Sequence, residues 1–164
     1  FVLLSQRPQA GEPDGWQGLT ELATLCQAKG LRLGDTLGWK EAASKPLCLM
    51  TPEMHNRTIV DASFAAAGCT PKVVMETNSI LTMALSVVAG QVCSVMPGAL
   101  VSTVRGYREL EAVPLVSPQV LTPISFMAQT AVRPSRAMEA ALQLAQDSAW
   151  LRHVATHTGL LTAF

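Results

Sequence analysis

The chain has 164 residues, of which 49% are apolar and 15% are charged. This composition predicts a folded domain with a sizeable core and excludes a disordered segment. Twelve basic residues balance 12 acidic ones, so the composition does not indicate the basic face with which nucleic-acid-binding domains grip phosphates.

The first part of the chain is predicted to hold few regular elements. An apolar strand covers residues 1–4, and a loop rich in Gly, Pro and Gln follows it. An apolar stripe predicts a helix over residues 16–30, which ends at a glycine. The polar turn Asp35-Thr36 is placed to begin a short helix over residues 38–43.

Strands and helices alternate regularly from Pro46 onward. The predicted elements are strands over residues 47–50, 72–76 and 92–96 and helices over residues 54–67 and 79–89. Gly68 and Gly90 end the two helices, and Thr77 or Asn78 caps the second one. The second helix is apolar nearly all round, which predicts a core helix buried on several sides. This order is typical of parallel βαβ units, so we expect an α/β fold with a parallel-rich sheet flanked by helices.

The last part of the chain is predicted to add strands and a long helix. In order, we expect a short helix over residues 99–104, strands over residues 110–116 and 124–129, and a helix from residue 136 to about residue 157. Ser135 is placed to cap this last helix. Its apolar positions lie on one side, which predicts packing against another element (Met138, Ala141, Leu142, Ala145, Ala149).

Three loops follow the predicted parallel strands, and the first two carry polar side chains. These loops are Thr51-Pro52-Glu53, Thr77-Asn78-Ser79 and Pro97-Gly98. In parallel sheets, ligands bind beyond the carboxyl ends of the strands and at helix N-termini. The hydroxyls and the amide favour a small polar or anionic ligand. Helix capping, worth about 1 kcal/mol, is the simpler use of Asn78 and Ser79.

The sequence offers no pattern typical of catalysis. It contains no nucleophile motif, glycine-rich phosphate loop or Cys/His/Asn combination, so we predict neither an enzyme nor a cofactor. His153 and His157 have the i, i+4 spacing of a two-histidine metal site, but no third ligand accompanies them. A solvated helix end is the preferred interpretation. Glu53 and Arg57 are explained by the helix dipole and by a pair with Asp61.

The cysteine spacing and the first residues of the chain are relevant to the cellular location of the protein. The four cysteines, at positions 26, 48, 69 and 93, form no CxxC pair, which favours free, mostly buried thiols in the cytoplasm. No apolar run approaches the length of a membrane span. The chain begins in mid-strand without methionine, so we expect it to be a piece of a longer protein.

The order of these motifs resembles a known family. The stretch "KPLCLMTPEMHNRTIVDASFAAAGCTPKVVMETNSILTMALSVVAGQVCSVMPGAL" is similar to the effector-binding domain of LysR-type transcriptional regulators. The shared features are Pro-Leu, an apolar strand and Thr51, then a helix, Gly68 and Pro71, a strand ending in Glu, Val-Ala-Gly and a strand closed by Pro97. Within it, "PLCLMTPEMHNRTIVD" resembles the subset linked to formate dehydrogenase operons.

The resemblance implies a periplasmic-binding-protein-like (type 2) fold with two α/β subdomains and a small effector in the cleft between them. It implies that Thr51, Thr77 and Asn78 contact this effector and that the protein is a cytoplasmic homo-oligomer, a dimer or a tetramer. It also implies promoter binding through an N-terminal helix-turn-helix, which this chain does not include. No membrane partner is expected.

The resemblance also implies how the chain is divided between the two subdomains. Residues 1–4 would be the crossover strand from the first subdomain, and residues 5–45 a variable connection with a helix, longer than is usual over 9–33. Residues 46–116 would form the second subdomain, and residues 117–164 the return strand and long helix of an incomplete first subdomain. A solute-binding protein of an uptake system, which has the same fold, is the alternative.

Overall fold

The computed structural model describes residues 1–6, 32–33, 35–90, 92–104, 106–122, 125, 127 and 134–155. The helices and strands over these residues are β1 (Val2–Gln6), β2 (Arg32–Leu33), β3 (Leu37–Gly38), α1 (Trp39–Ala43), β4 (Leu47–Met50), α2 (His55–Ala66), β5 (Val73–Thr77), α3 (Ile80–Val88), β6 (Cys93–Met96), a 3₁₀ helix (Gly98–Thr103), β7 (Leu110–Val116), α4 (Arg136–Gln146) and α5 (Ser148–Ala155). The helix predicted over residues 16–30 lies outside the described residues, and so does the strand predicted over residues 124–129 except for residues 125 and 127, which have no strand assignment.

The strands form one mixed sheet in the order β2–β7–β1–β6–β4–β5, and β3 also pairs with β7. Strand β4 pairs in parallel with β5 and with β6. Strand β1 lies antiparallel between β6 and β7, so these two strands run in the same direction. The predicted α/β fold with a mostly parallel sheet and flanking helices is therefore confirmed.

The core lies on both faces of this sheet. Because successive side chains of a strand point to opposite faces, β4 contributes to two separate clusters. Cys48 and Met50 pack in a cluster with α3, whereas Leu47 and Leu49 pack in a cluster with α1 and α2. Strand β4 is thus buried along its full length, which explains its unbroken apolar run.

Two glycines end helices as predicted. Gly68 follows α2 with a φ of 67°, and Gly90 follows α3 with a φ of 83°. This left-handed backbone favours glycine because it lacks a Cβ atom. The neighbouring Cys69 amide donates to the Phe64 carbonyl at 3.0 Å, so a terminal carbonyl of α2 is satisfied. At the end of α3, the Gln6 amide group donates to the Val88 carbonyl at 3.0 Å.

We expect Gly90→Ala to lower the free energy of unfolding more than Gly68→Ala does. Both changes strain a left-handed backbone, at about 1–2 kcal/mol each. A Cβ at Gly90 would also lie 2.8 Å from Gln6 Nε2, whereas a Cβ at Gly68 would meet no atom of the described residues within 4 Å. Gln6 must then give up its bond to Val88, which adds about 0.5–1.5 kcal/mol.

Urea unfolding followed by circular dichroism measures this difference. In a Gln6→Ala background, Gly90→Ala and Gly68→Ala should lower the free energy of unfolding by the same amount. The Gln6 side chain that a Cβ at position 90 would meet is already absent there. An excess cost of Gly90→Ala that persists in that background would contradict this explanation.

Helix α3 is less buried than predicted. Met83, Ala84 and Val87 are buried against the sheet, but Leu81 is 65% exposed and Leu85 is 44% exposed. Within the described part of the chain, α3 packs on one face of the sheet, so the prediction of a helix buried on several sides is wrong. Its cap also differs: Ser79 is the N-cap residue, and its hydroxyl accepts from the Thr82 amide.

The last helix is also different from the prediction. It breaks at Asp147, whose backbone is extended, into α4 and α5. The carboxylate of Asp147 accepts from the Trp150 amide at 2.8 Å, so it caps α5 instead of continuing α4. Ser135 caps α4 as predicted. The predicted apolar face is largely exposed, with Met138 at 44%.

Two short elements also differ in detail from the prediction. Helix α1 begins after Gly38, which makes no side-chain capping bond, so the Asp35-Thr36 turn does not cap it. The short element after Pro97 is a 3₁₀ helix. Among the described residues, none of the helices is long and apolar enough to cross a membrane.

Candidate functional site

Two of the three predicted loops are joined at one edge of the sheet. Strands β4, β5 and β6 run in parallel, so their carboxyl ends, which lead into Thr51, Asn78 and Pro97, lie at the same edge. The Thr51 amide donates to the Thr77 carbonyl at 3.1 Å. The backbone therefore holds the first and second loops side by side, as expected for parallel strands.

The loop after β4 is organised by its own polar groups. Thr51 Oγ1 donates to Glu53 Oε1 at 2.7 Å, and the Thr51 carbonyl accepts from the Met54 amide at 3.0 Å. The Thr51 hydroxyl and the backbone amide of Glu53 lower the pKa of the Glu53 carboxyl, while desolvation acts weakly in the opposite direction. Pro52 and Glu53 are exposed. A ligand at Thr51 would therefore meet a fixed carboxylate beside the hydroxyl.

We expect Thr51→Val to raise the pKa of Glu53 toward its ordinary value of about 4.5, because the main hydrogen bond to the carboxylate is lost. A depressed pKa in the folded state stabilises the fold above the ordinary pKa. That stabilisation is lost as the pH falls through the folded value. Carbon-detected NMR titration of the Glu53 carboxyl measures the midpoint. Thr51→Ser retains the hydroxyl and should retain the low midpoint, whereas an unchanged midpoint in Thr51→Val would contradict the assignment.

The loop after β5 uses two of its three side chains for local structure. Thr77 Oγ1 accepts from the Ser79 amide at 3.1 Å, and Ser79 Oγ accepts from the Thr82 amide at 3.2 Å. These bonds fix the start of α3. Asn78 is exposed between them. The side chain of Asn78 takes part in neither of these two bonds.

Arg57, in the first turn of α2, is the charged centre of this edge. The predicted pair with Asp61 is confirmed, since Arg57 Nε donates to both Asp61 carboxylate oxygens at 2.8 and 3.0 Å. One terminal nitrogen donates to the Met50 carbonyl at 2.7 Å and to Glu76 at 2.6 Å. Burial acts to lower the pKa of Arg57, but the bonds to Glu76 and Asp61 outweigh it and raise that pKa.

A narrow depression lies where β4 and β6 end, and its volume of about 10 Å³ is no more than one water molecule needs. Its apolar wall comes from both core clusters and from the 3₁₀ helix. Its lining residues are Leu49, Met50, Asn56, Arg57, Val60, Ile80, Met83, Val95, Pro97 and Leu100. Pro97 is the predicted site residue that lines it. From the sequence, Asn56 was not predicted to be a site residue, and Arg57 was predicted only to pair with Asp61.

The described residues give no support to a metal site or to reactive thiols. No group of three potential metal ligands occurs among them, and His157 lies outside them. His55 and His153 are exposed. Cys48, Cys69 and Cys93 are free thiols, and Cys26 lies outside the described part. Burial raises the pKa of Cys48 and of Cys93, with Lys45 opposing the rise at Cys93.

Comparison with known proteins agrees with this architecture. A search of the curated proteins gives no match. The family model of the LysR substrate binding domain matches residues 19–150, which include the sheet from β2 to β7 and the loops at its edge. Such domains have a type 2 periplasmic-binding-protein-like fold and belong to transcriptional regulators rather than to enzymes. The chain therefore belongs to the LysR substrate-binding domain family.

Proposed function

We propose that the chain is the ligand-sensing and oligomerising domain of a LysR-type regulator and that it binds a small polar or anionic effector. The effector would contact the sheet edge formed by Thr51, Pro52, Glu53, Thr77, Asn78, Ser79 and Pro97. The observation that carries this proposal is the family match over a sheet whose edge joins the Thr51 and Thr77 loops. Hydroxyls, an amide and helix N-termini at this edge favour polar groups over large apolar ones.

Sensing in this proposal is a population shift. An effector that binds one arrangement of the regulator more tightly than the other moves the equilibrium toward it. In this chain, three loops and the starts of α2 and α3 meet at one edge of the sheet. An effector bound there therefore acts on several elements at once. No bond is made or broken.

The wider assembly follows from the same proposal. The regulator would be a cytoplasmic dimer or tetramer and would bind promoter DNA through a helix-turn-helix upstream of this domain. Residues 46–116 would form the second effector-binding subdomain, and residues 1–4 and 117–164 would belong to the first. We assign the regulator to the subset linked to formate dehydrogenase operons on the resemblance of residues 46–61.

The test uses the regulator that contains this domain, bound to its promoter fragment. Small polar and anionic metabolites are added singly, and the DNA footprint and transcription in vitro are measured. We expect at least one such compound to change both at constant protein concentration. A response confined to large apolar compounds would overturn the predicted ligand class. Tight binding without any effect on the promoter would favour a solute-binding protein instead.

A further inference from the structure

We infer that Arg57 is a positioning residue of the effector edge: it fixes the Thr51 loop against the Thr77 loop before any effector is bound. This inference rests on the proposed function, because it concerns the same edge of the sheet. It adds a residue that acts through the backbone of Thr51 rather than by touching the effector. Loops that are already fixed lose less conformational freedom on binding, so this arrangement favours affinity.

The peptide bond between Met50 and Thr51 is held at both ends. Its carbonyl accepts from a terminal nitrogen of Arg57 at 2.7 Å, and its N–H donates to the Thr77 carbonyl at 3.1 Å. Because a peptide unit is planar, these two bonds together fix its orientation. That orientation determines where Thr51 presents its hydroxyl. Of the two bonds, the one from Arg57 comes from a side chain, so a substitution can remove it.

The hydrogen bonds close into a ring that joins the two loops. The Arg57 nitrogen that holds the Met50 carbonyl also donates to Glu76 at 2.6 Å. Glu76 is followed by Thr77, whose carbonyl accepts from the Thr51 amide. A path of bonds therefore runs from Arg57 through the end of β4 to the end of β5 and back to Arg57. A shift of either loop must lengthen at least one bond of this ring.

Arg57 also takes the place of a strand neighbour at the end of β4. Within the described residues, β4 pairs with β6 at Leu47 and Cys48, whereas its pairing with β5 continues as far as Met50. The N–H of the peptide bond after Met50 points to β5, so the carbonyl of the same trans peptide points toward the β6 side. The pairing with β6 has already ended there, and Arg57 supplies the donor.

The position of Arg57 in α2 is unfavourable by local rules. It lies in the first turn of α2, where the positive end of the helix dipole disfavours a cation, and this turn has no acidic residue. Its side chain is 11% exposed, so the guanidinium has also lost most of its water. Asp61 accepts from Nε through both oxygens, and with Glu76 it balances the charge. A local preference that is broken in this way points to a functional position.

Amide hydrogen exchange of the complete chain, followed by NMR without any ligand, tests the inference. Arg57→Met removes the donors and keeps the apolar stem, so we expect the Thr51 amide to exchange about tenfold faster or more. The Leu47 amide donates to the Lys72 carbonyl at 2.9 Å, at the other end of the same strand pair. It is the internal control and should change less than about threefold. If Arg57→Met is not folded by circular dichroism, Arg57→Lys supports the same comparison.

Three further variants separate positioning from charge. Arg57→Lys keeps the charge but not the planar fork that reaches several partners at once, so it should restore part of the Thr51 protection. In a Glu76→Gln background, the loss of the guanidinium no longer leaves two carboxylates facing each other, and Arg57→Met should still speed exchange at Thr51. Arg136→Met removes an exposed arginine from the first turn of α4 and should leave the Thr51 and Leu47 amides unchanged.

Equal acceleration at Thr51 and Leu47 in Arg57→Met would make Arg57 a general stabiliser and would overturn the inference. Unchanged exchange at Thr51 would overturn it as well. So would an effect that disappears in the Glu76→Gln background, because repulsion between carboxylates would then be its cause. These outcomes need no ligand and leave the proposed function standing. Acceleration confined to Thr51, together with a promoter that responds to no metabolite, would support the positioning of the loops and overturn the proposed function.

Discussion

Trp39→Ala should lower the free energy of unfolding by about 3–5 kcal/mol, the range for removing a large buried aromatic side chain. Trp39 is fully buried, and its ring meets Phe64 edge-on with 5.0 Å between the ring centroids. Its Nε1 donates to the Pro118 carbonyl at 2.8 Å. The residue therefore joins α1, α2 and the segment after β7, and its loss leaves a cavity where all three meet. Urea unfolding followed by far-ultraviolet circular dichroism measures the change.

Two tryptophan-to-phenylalanine variants separate packing from hydrogen bonding. Trp39→Phe keeps most of the ring contact but leaves the Pro118 carbonyl without its indole donor, so it should cost about 1–3 kcal/mol. Trp150→Phe makes the same change on α5, where the side chain is partly exposed and belongs to neither core cluster, so it should cost less than Trp39→Phe. Equal costs at the two positions would show that Trp39 does not tie these segments together.

Local signals predicted much of the fold around β4. The apolar run at residues 47–50 and the left-handed Gly68 are read from neighbouring residues, and both agree with the structure. The antiparallel position of β1 between β6 and β7 could not be predicted this way. It depends on pairing between Val2 and residues as distant as Met96 and Pro114. Such pairing is set by the whole sheet and not by local preference.

The two helices that differed from prediction show why apolar periodicity has limits. Periodicity predicts which side chains share a face, but not how much of that face another element covers. Leu81 and Leu85 fit an all-round apolar helix and yet lie on its exposed side. The break at Asp147 had a local signal, because an Asp followed by Ser-Ala-Trp suits a helix cap as well as a helix interior.

The charged part of the edge was only half predictable. The Arg57–Asp61 pair follows from helical spacing, whereas Glu76 lies 19 residues away on a neighbouring strand. Its contact with Arg57 requires the parallel pairing of β4 and β5 in the observed register. Sequence spacing alone therefore predicted that Arg57 pairs with Asp61 on the surface of α2. The tertiary structure shows in addition that Arg57 contacts the end of β4 and Glu76 on β5.

Thr51→Val and Asn78→Ala should each raise the effector concentration for half-maximal promoter response by about ten- to a hundredfold. Each removes one hydrogen bond to a polar or charged ligand, worth about 1.5–3 kcal/mol. Promoter affinity without effector should stay unchanged, because neither side chain is part of a core cluster. Transcription in vitro with the regulator that contains this domain measures the response.

Ser79→Ala is the control variant that shows how much stability is lost when the cap of α3 is removed. Ser79 is the N-cap of α3, so its loss should cost about 1 kcal/mol and lower the melting temperature. Asn78 is exposed next to it and Ser79 already caps the helix, so Asn78→Ala should melt like the wild type. An Asn78→Ala variant that senses normally but melts as early as Ser79→Ala would assign Asn78 to helix capping and remove it from the effector site. Equal loss of promoter binding in Thr51→Val would indicate misfolding and would remove the evidence that its hydroxyl meets the ligand.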